Sequence, residues 1–389
     1  MRVLIGAGAS IATSFVRAEY ETIVLKDAVK RPTLQQEVDE LREKVAKLES
    51  DKSSPAFRAP AIQLSGFVDV TYNYNTNSPK ERTSVGRVFD RDANNFSVNA
   101  VKLSAQTNVD DETPVGVRAD LYVGQDAKLI HSAGLGESND SFDLKQAYVN
   151  YHKGYWDFKA GKFVTLAGAE VIESKDNWNV SRGLLFGYAI PFTHTGVRGT
   201  YATDGWDFVL GVNNGWDVAT DNNSGKTIET HVGVTGIELP SDSSLNVSWN
   251  GYFGPENAND NTQRSLSDTV LVYKTPWKPL TLMYNFDYAK DSSLATWYGH
   301  AGYIRVDLND DWSFSLRGEH FNDEDGVRLG TADTKYNEGT GTLEYRATKS
   351  VTTRLEYRAD HASEAVFNGK GEDKKNSQGT VAGEVIVSF

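Results

Sequence analysis

Cysteine is absent from the 389 residues and methionine occurs only twice. That absence removes disulfides, thiol catalysis and cysteine-ligated metal sites together. Long apolar runs are missing as well: the chain is 39% hydrophobic and 24% charged, with a mean hydropathy of -0.48. A membrane helix needs roughly 20 consecutive apolar residues, so a helical membrane protein is excluded. A barrel strand turns only every second side chain to lipid and stays polar on average, so a barrel is not. Basic residues are the minority, 40 Lys and Arg against 53 Asp and Glu, for a net charge of -13. Such a balance argues against a nucleic-acid partner, which would require a concentrated basic face, and predicts a mild preference for cations.

Aromatic residues and glycine are abundant: 18 Tyr, 17 Phe, 8 Trp and 34 Gly. Many strands joined by tight turns use residues this way. The seven histidines (His131, His152, His194, His231, His300, His320 and His361) show no His-Glu-x-x-His spacing, and no Gly-x-Ser-x-Gly elbow occurs. Zinc hydrolysis and serine hydrolysis therefore lack their constellations, and the chain reads as no enzyme, with no cofactor and no metal. The oxygen-rich segments Asp221 to Gly225 and Asp323 to Gly326 lack the bidentate glutamate that closes a calcium loop, and read as turns.

The N-terminal region falls into short pieces. Arg2, the small and apolar stretch Val3 to Val16, and Val16-Arg17-Ala18 have the order of a signal peptide over residues 1–18. After Pro32, Thr33 and Gln36 have capping-box spacing. Leu34, Val38, Leu41, Val45 and Leu48 then alternate intervals of four and three, the seam of a coiled coil. The seam predicts a short helix that associates with copies of itself, a homotrimer through residues 34–48 being the assembly considered. A solvated amphipathic helix is the other reading of so short a run. Ser50 to Pro60 is a polar linker, so residues 19–60 form a periplasmic helix and linker.

From Ala61 to Phe389 one pattern repeats: about ten residues of alternating character, then a turn. Val351, Thr353, Leu355, Tyr357 and Ala359 share one face; Thr352, Arg354, Glu356, Arg358 and Asp360 share the other. Alternation alone suits a soluble sandwich equally well. Three features favour a barrel. Strands expected at 61–74, 95–108, 115–124, 143–152, 155–163, 193–203, 206–217, 227–239, 245–255, 266–275, 280–290, 295–308, 312–322, 335–348, 351–362 and 377–389 leave connections that alternate between short turns and mostly longer, charged loops. Trp156, Trp206, Trp277 and Trp312 each stand in or just after a short turn, as an interfacial girdle requires. The last expected strand carries Val381, Gly383, Val385, Val387 and Phe389 on one face and ends in Phe, which resembles the assembly signal of outer-membrane proteins. The predicted fold is an all-β, antiparallel transmembrane barrel of about 16 strands over residues 61–389, preceded by the short coiled-coil helix.

The stretch GKFVTLAGAEVIESKDNWNVSRGLLFGYAIPFTHTG from Gly161 to Gly196 resembles the most distinctive part of the bacterial outer-membrane β-barrel porin type 2 family. GFVDVTYNYN at Gly66 to Asn75, NNGWD at Asn213 to Asp217 and DNNSGKT at Asp221 to Thr227 support the match. The piece after Asn95 to Asn99 departs from it, with Val101-Lys102 where a more acidic, leucine-containing pattern is expected. The resemblance implies an outer-membrane location, contact with lipid and lipopolysaccharide, and passive diffusion of small hydrophilic solutes or ions.

By likeness to general porins, the longest loop, residues 164–192, is the expected constriction. It carries Glu170, Glu173, Lys175, Asp176, Trp178 and Arg182, charges that either line the pore or pack the loop against the wall through ion pairs. Inward Arg198, Arg305, Arg317, Arg346, Arg354 and Arg358, tempered by Glu319, Glu344 and Glu356, form the expected pore wall, most of them paired laterally across strands. A sixteen-stranded barrel is wide enough for water. The rival functional reading is a structural barrel that tethers the envelope through its coiled coil.

Overall fold

The computed structural model describes Gln35, residues 38–44, Lys47, and residues 61–389 apart from 259–261, 293–294 and 332. The signal segment 1–18, the seam positions Leu34, Val45 and Leu48, and the linker Ser50 to Pro60 lie outside the described residues. The described N-terminal residues are helical, with Leu41 exposed and Lys44 paired to Glu40 at 2.8 Å.

Residues 61–389 form a closed antiparallel barrel of sixteen long strands. They are β1 (Ile62–Asn75), β2 (Asn95–Thr107), β3 (Val115–Val123), β4 (Phe142–Lys153), β5 (Trp156–Val164), β6 (Thr193–Ala202), β7 (Trp206–Asn213), β8 (Thr227–Leu239), β9 (Ser243–Pro255), β10 (Gln263–Lys274), β11 (Leu280–Asp291), β12 (Ala295–Asp307), β13 (Trp312–Asp323), β14 (Thr334–Arg346), β15 (Val351–Ala362) and β18 (Ser377–Ser388). The two-residue strands β16 (Phe367–Asn368) and β17 (Lys374–Lys375) make a separate ribbon in the loop before β18. Each barrel strand pairs with its neighbour in sequence, and β1 closes the ring against β18, where Gly66 and Phe389 exchange backbone hydrogen bonds of 2.9 and 3.0 Å.

The faces of the strands decide between barrel and sandwich. Along β13, Phe314 and Leu316 are exposed on the outside while Ser313, Ser315 and Arg317 are buried inside. Polar side chains fill the interior and apolar ones cover the exterior, the arrangement that a lipid solvent imposes. Trp156, Trp206, Trp277 and Trp312 are all exposed beside the short turns.

Three bulges interrupt the two-residue period. In β2, Asn99 has no direct partner, since Asp69 faces Ala100 and Val70 faces Val98. In β4, Lys145 is the extra residue between Leu144 and Gln146, and in β8 the ladder steps from Val234 to Ile237. A bulge adds one residue and re-aims a side chain; thus Lys145 and Gln146, adjacent in sequence, are both buried inside. The expected strand 206–217 falls furthest short of its pattern, ending at Asn213. The Asp217 carboxylate accepts the Phe192 and Thr193 amides at 3.0 and 2.8 Å, which draws Asn214 to Asp217 away from the ladder.

Candidate functional site: the loop across the bore

The connection from Thr165 to Phe192 bonds to inward-facing side chains around much of the wall. Near its start, Leu166 N–H donates to the Tyr252 hydroxyl on β9 (3.1 Å) and Ala169 N–H to Asn285 Oδ1 on β11 (3.2 Å). On another side, Lys102 of β2 donates to Glu173 at 2.5 Å, and Lys145 of β4 binds the same carboxylate. Burial raises the Glu173 carboxyl, but the Lys145 and Lys102 ammoniums outweigh it and hold the group down at about 2. Strand β13 stands well round the ring from β4, with β3, β2, β1, β18, β15 and β14 between them. There, Arg317 donates to Glu170 at 2.6 Å and to the Ser181 carbonyl at 2.7 Å. The loop is therefore fastened to distant parts of the wall.

Backbone attachments complete the fastening. Glu356 on β15 accepts the Val180 and Ser181 amides (2.6 and 3.0 Å), and Glu319 on β13 accepts that of Leu184. Arg354 donates to the Ser174 and Asn177 carbonyls (2.9 and 2.8 Å), Arg358 to that of Arg182 (2.7 Å). Asn179 donates to Thr342 on β14 and the Trp297 indole to the Ala189 carbonyl. Gly183 permits the approach to β13: a Cβ there would meet the Glu319 carboxylate at 2.2 Å. Beyond it, Leu184, Leu185, Phe186, Ile190 and Phe192 make an apolar cluster with Phe89 of the first long loop. Arg182 lies over the Phe89 ring at 4.7 Å.

The six loop residues read from the sequence thus separate into two groups. Glu170, Glu173 and Arg182 are engaged with the wall or the loop core. Lys175 and Asp176 are exposed and pair with each other at 2.7 Å, and Trp178, half-buried, sits edge-on to Tyr303 beneath Arg305. Among the wall residues, Arg198 makes a two-pronged bond to Glu229 (2.6 and 2.9 Å), Arg305 and Arg346 share Glu344, Arg354 bridges Glu344 and Glu384, and Arg358 binds Asp360.

Other charged residues of the bore were not singled out as site residues by the sequence. Lys102 and Lys145 hold Glu173; Glu338 is the second carboxylate on Arg317 at 2.8 Å. Arg87, from the first long loop, reaches Asp90 and Asp360 at 2.5 and 2.7 Å. Inward parity marks Lys102 and Glu338, but the bulge hides Lys145, and no period marks Arg87. The oxygen-rich turns have local partners: Asp221 binds Lys226, and Asp323 accepts the Arg328 and Leu329 amides.

Known structures share this architecture. An anion-selective porin from Comamonas acidovorans is similar over 85% of this chain and 99% of its own at 10% identity, with a TM-score of 0.57. The outer membrane channel DcaP of Acinetobacter baumannii is similar over 86% and 99%, at 15% identity and a TM-score of 0.53. OmpT of Vibrio cholerae, in-vitro folded and described as a trimer form, is similar over 85% and 100%, at 12% identity and 0.56. At such identities the likeness shows the fold. Comparison with curated protein sequences gives no match. The model of the family "Putative beta-barrel porin-2, OmpL-like" matches residues 61–389. With apolar side chains outside, charge inside and a loop fastened across the bore, the chain belongs to that family and is an outer-membrane porin.

Proposed function

We propose that the barrel is a passive channel for small hydrophilic solutes or ions, and that the loop of residues 164–192 sets its narrowest passage. The observation that carries this reading is the double fastening of the loop, Glu173 to Lys102 and Lys145 on one side, Glu170 to Arg317 on another. Clamped side chains fix the aperture, and the exposed Lys175 and Asp176 with the half-buried Trp178 are the groups a passing solute meets. Paired opposite charges at a constriction favour small polar solutes over bulky apolar ones. Three copies form the working unit in this reading, with lipopolysaccharide against the long-loop end; the trimer form of the Vibrio OmpT barrel and the seam over residues 34–48 support it.

The test is single-channel recording of the purified full-length protein in a planar bilayer, with the reversal potential under a KCl gradient. Stepwise conductance is expected, with Lys175→Glu shifting the reversal potential toward cation preference and Asp176→Lys toward anions. A folded barrel that stays silent overturns the channel; steps unmoved by either substitution overturn the aperture.

A further inference from the structure

A row of polar side chains crosses the lipid-facing surface of the barrel. Direct cross-strand partners at one level run from Phe286 on β11 through His300, His320, Asn337 and His361 to Ser377 on β18. One level closer to the membrane centre stand Gly302, Gly318 and Gly339, also direct partners. One level further out, Tyr288 stacks on Tyr298 at 6.4 Å, and Lys335 stands on β14. The histidines therefore lie at the inner edge of an aromatic girdle, where interfacial water meets the barrel. Polar groups facing lipid are costly there, and nothing in the channel reading uses them.

His300 and His320 are immediate neighbours across β12 and β13. Each has its Nδ1 engaged on the side away from the other: the Tyr284 hydroxyl on β11 lies 2.6 Å from His300 Nδ1, and Asn337 Oδ1 on β14 lies 2.9 Å from His320 Nδ1. The two nitrogens of an imidazole face roughly opposite sides of the ring. Neither Nε2 atom has a hydrogen-bond partner among the described residues, so Nε2 is the nitrogen each ring has left to share across the β12–β13 pair. We propose that His300 and His320 form a two-imidazole site for one divalent transition-metal ion of the copper, nickel and zinc group.

The chemistry fits that class. Neutral imidazole is a preferred ligand of these ions, and direct cross-strand partners have Cβ atoms about 4.5–5.5 Å apart, close enough for both rings to reach one ion at metal–nitrogen distances of about 2.0–2.1 Å. An Asn337 oxygen that accepts from His320 Nδ1 leaves the Nε2 lone pair free and orients the ring, the role outer partners play at metal sites. Among the described residues no group of three His, Cys, Asp or Glu side chains is placed to hold a metal, so interfacial water completes the coordination. Lys335 repels a cation, and binding rests on the coordinate bonds. A bound ion would staple β12 to β13.

Cu²⁺ titrated into the detergent-folded full-length protein, followed by electron paramagnetic resonance with Zn²⁺ competition, tests the site. One tight equivalent is expected, with coupling to two imidazole nitrogens. His300→Gln and His320→Gln should each weaken it at least tenfold and lower the coupling to one nitrogen, whereas His361→Gln should change neither. All three side chains face outward, so retained heat-modifiable gel mobility will show the variants folded. Equal binding by wild type and the His300→Gln/His320→Gln double variant, or loss on His361→Gln, overturns the site.

Discussion

Arg317 ties the loop to two neighbouring strands of the wall, its own β13 and β14. Its guanidinium is buried against Glu170 and Glu338, the Ser181 carbonyl and hydroxyl, and Thr340. Truncation leaves the buried Glu170 carboxylate without a cation and Glu338 with only Arg358, at 3.4 Å, and breaking such a buried pair costs about 3–5 kcal/mol. Arg317→Ala should therefore lower the urea midpoint for unfolding, open residues 164–192 to protease, and give noisier channel current. A variant as stable and quiet as wild type would contradict the clamp. Two loop acids respond to pH in opposite senses. Glu173, held at about 2 against an ordinary 4.5, contributes stability that is present above the ordinary value and lost as pH falls through about 2. Burial pushes Asp217 up to about 6 from 3.8, more than the Thr193 and Phe192 amides lower it. Its contribution is present below about pH 4 and lost as pH rises through 6. Hydrogen exchange, corrected for intrinsic rate, should show residues 171–176 equally protected at pH 5 and 7.5, and residues 214–218 less protected at 7.5.

At the scale of the element, a strand here separates two solvents. Leu316 points outward midway between Trp312 and the histidine level, so Leu316→Arg should cost about 2–4 kcal/mol, the penalty of a charge near the bilayer midplane. Ser315→Ala, one residue away on the inner face, removes no lipid contact. Urea titration of the protein folded into liposomes measures both, and equal effects would contradict the assigned faces. The bulge in β4 has a comparable consequence. Lys145→Met together with Lys102→Met releases Glu173 from its wall, and single-channel conductance should rise as the loop loses one of its two ion-pair fastenings. The departure from the family pattern at Val101-Lys102 falls on one of the residues that holds the loop, since Lys102 reaches both Glu173 and Asp120.

At the scale of the whole molecule, closure depends on segments more than three hundred residues apart. A Cβ on Gly66 would meet the Lys102 carbonyl of β2 at 2.3 Å and, at the β1–β18 seam, the Phe389 ring at 2.6 Å. Gly66→Val should slow or prevent closure, visible as loss of the heat-modifiable band on folding into liposomes; normal folding would show that the seam tolerates a side chain. The -13 charge led to an expected cation preference, yet many of the acids and bases inside the bore neutralise one another in pairs. Net charge reports the sum over the chain, whereas a channel senses the few groups its own pairs leave exposed, Lys175 and Asp176 among them.

By itself the sequence determined that the chain is built of alternating strands joined by short and long connections, because two solvents on the two faces leave a two-residue period in the residue order. That period located all sixteen barrel strands and made Arg354, Glu356 and Arg358 one face. It carried no information on which face meets lipid, since a sandwich alternates identically, and it lost its phase at Asn99 and Lys145, where one extra residue leaves no mark in composition. Only the tertiary structure decided that Glu170 and Glu173 hold the loop to different walls. The Glu170–Arg317 contact joins residues 147 apart in the chain, and such a contact is set by closure of the ring.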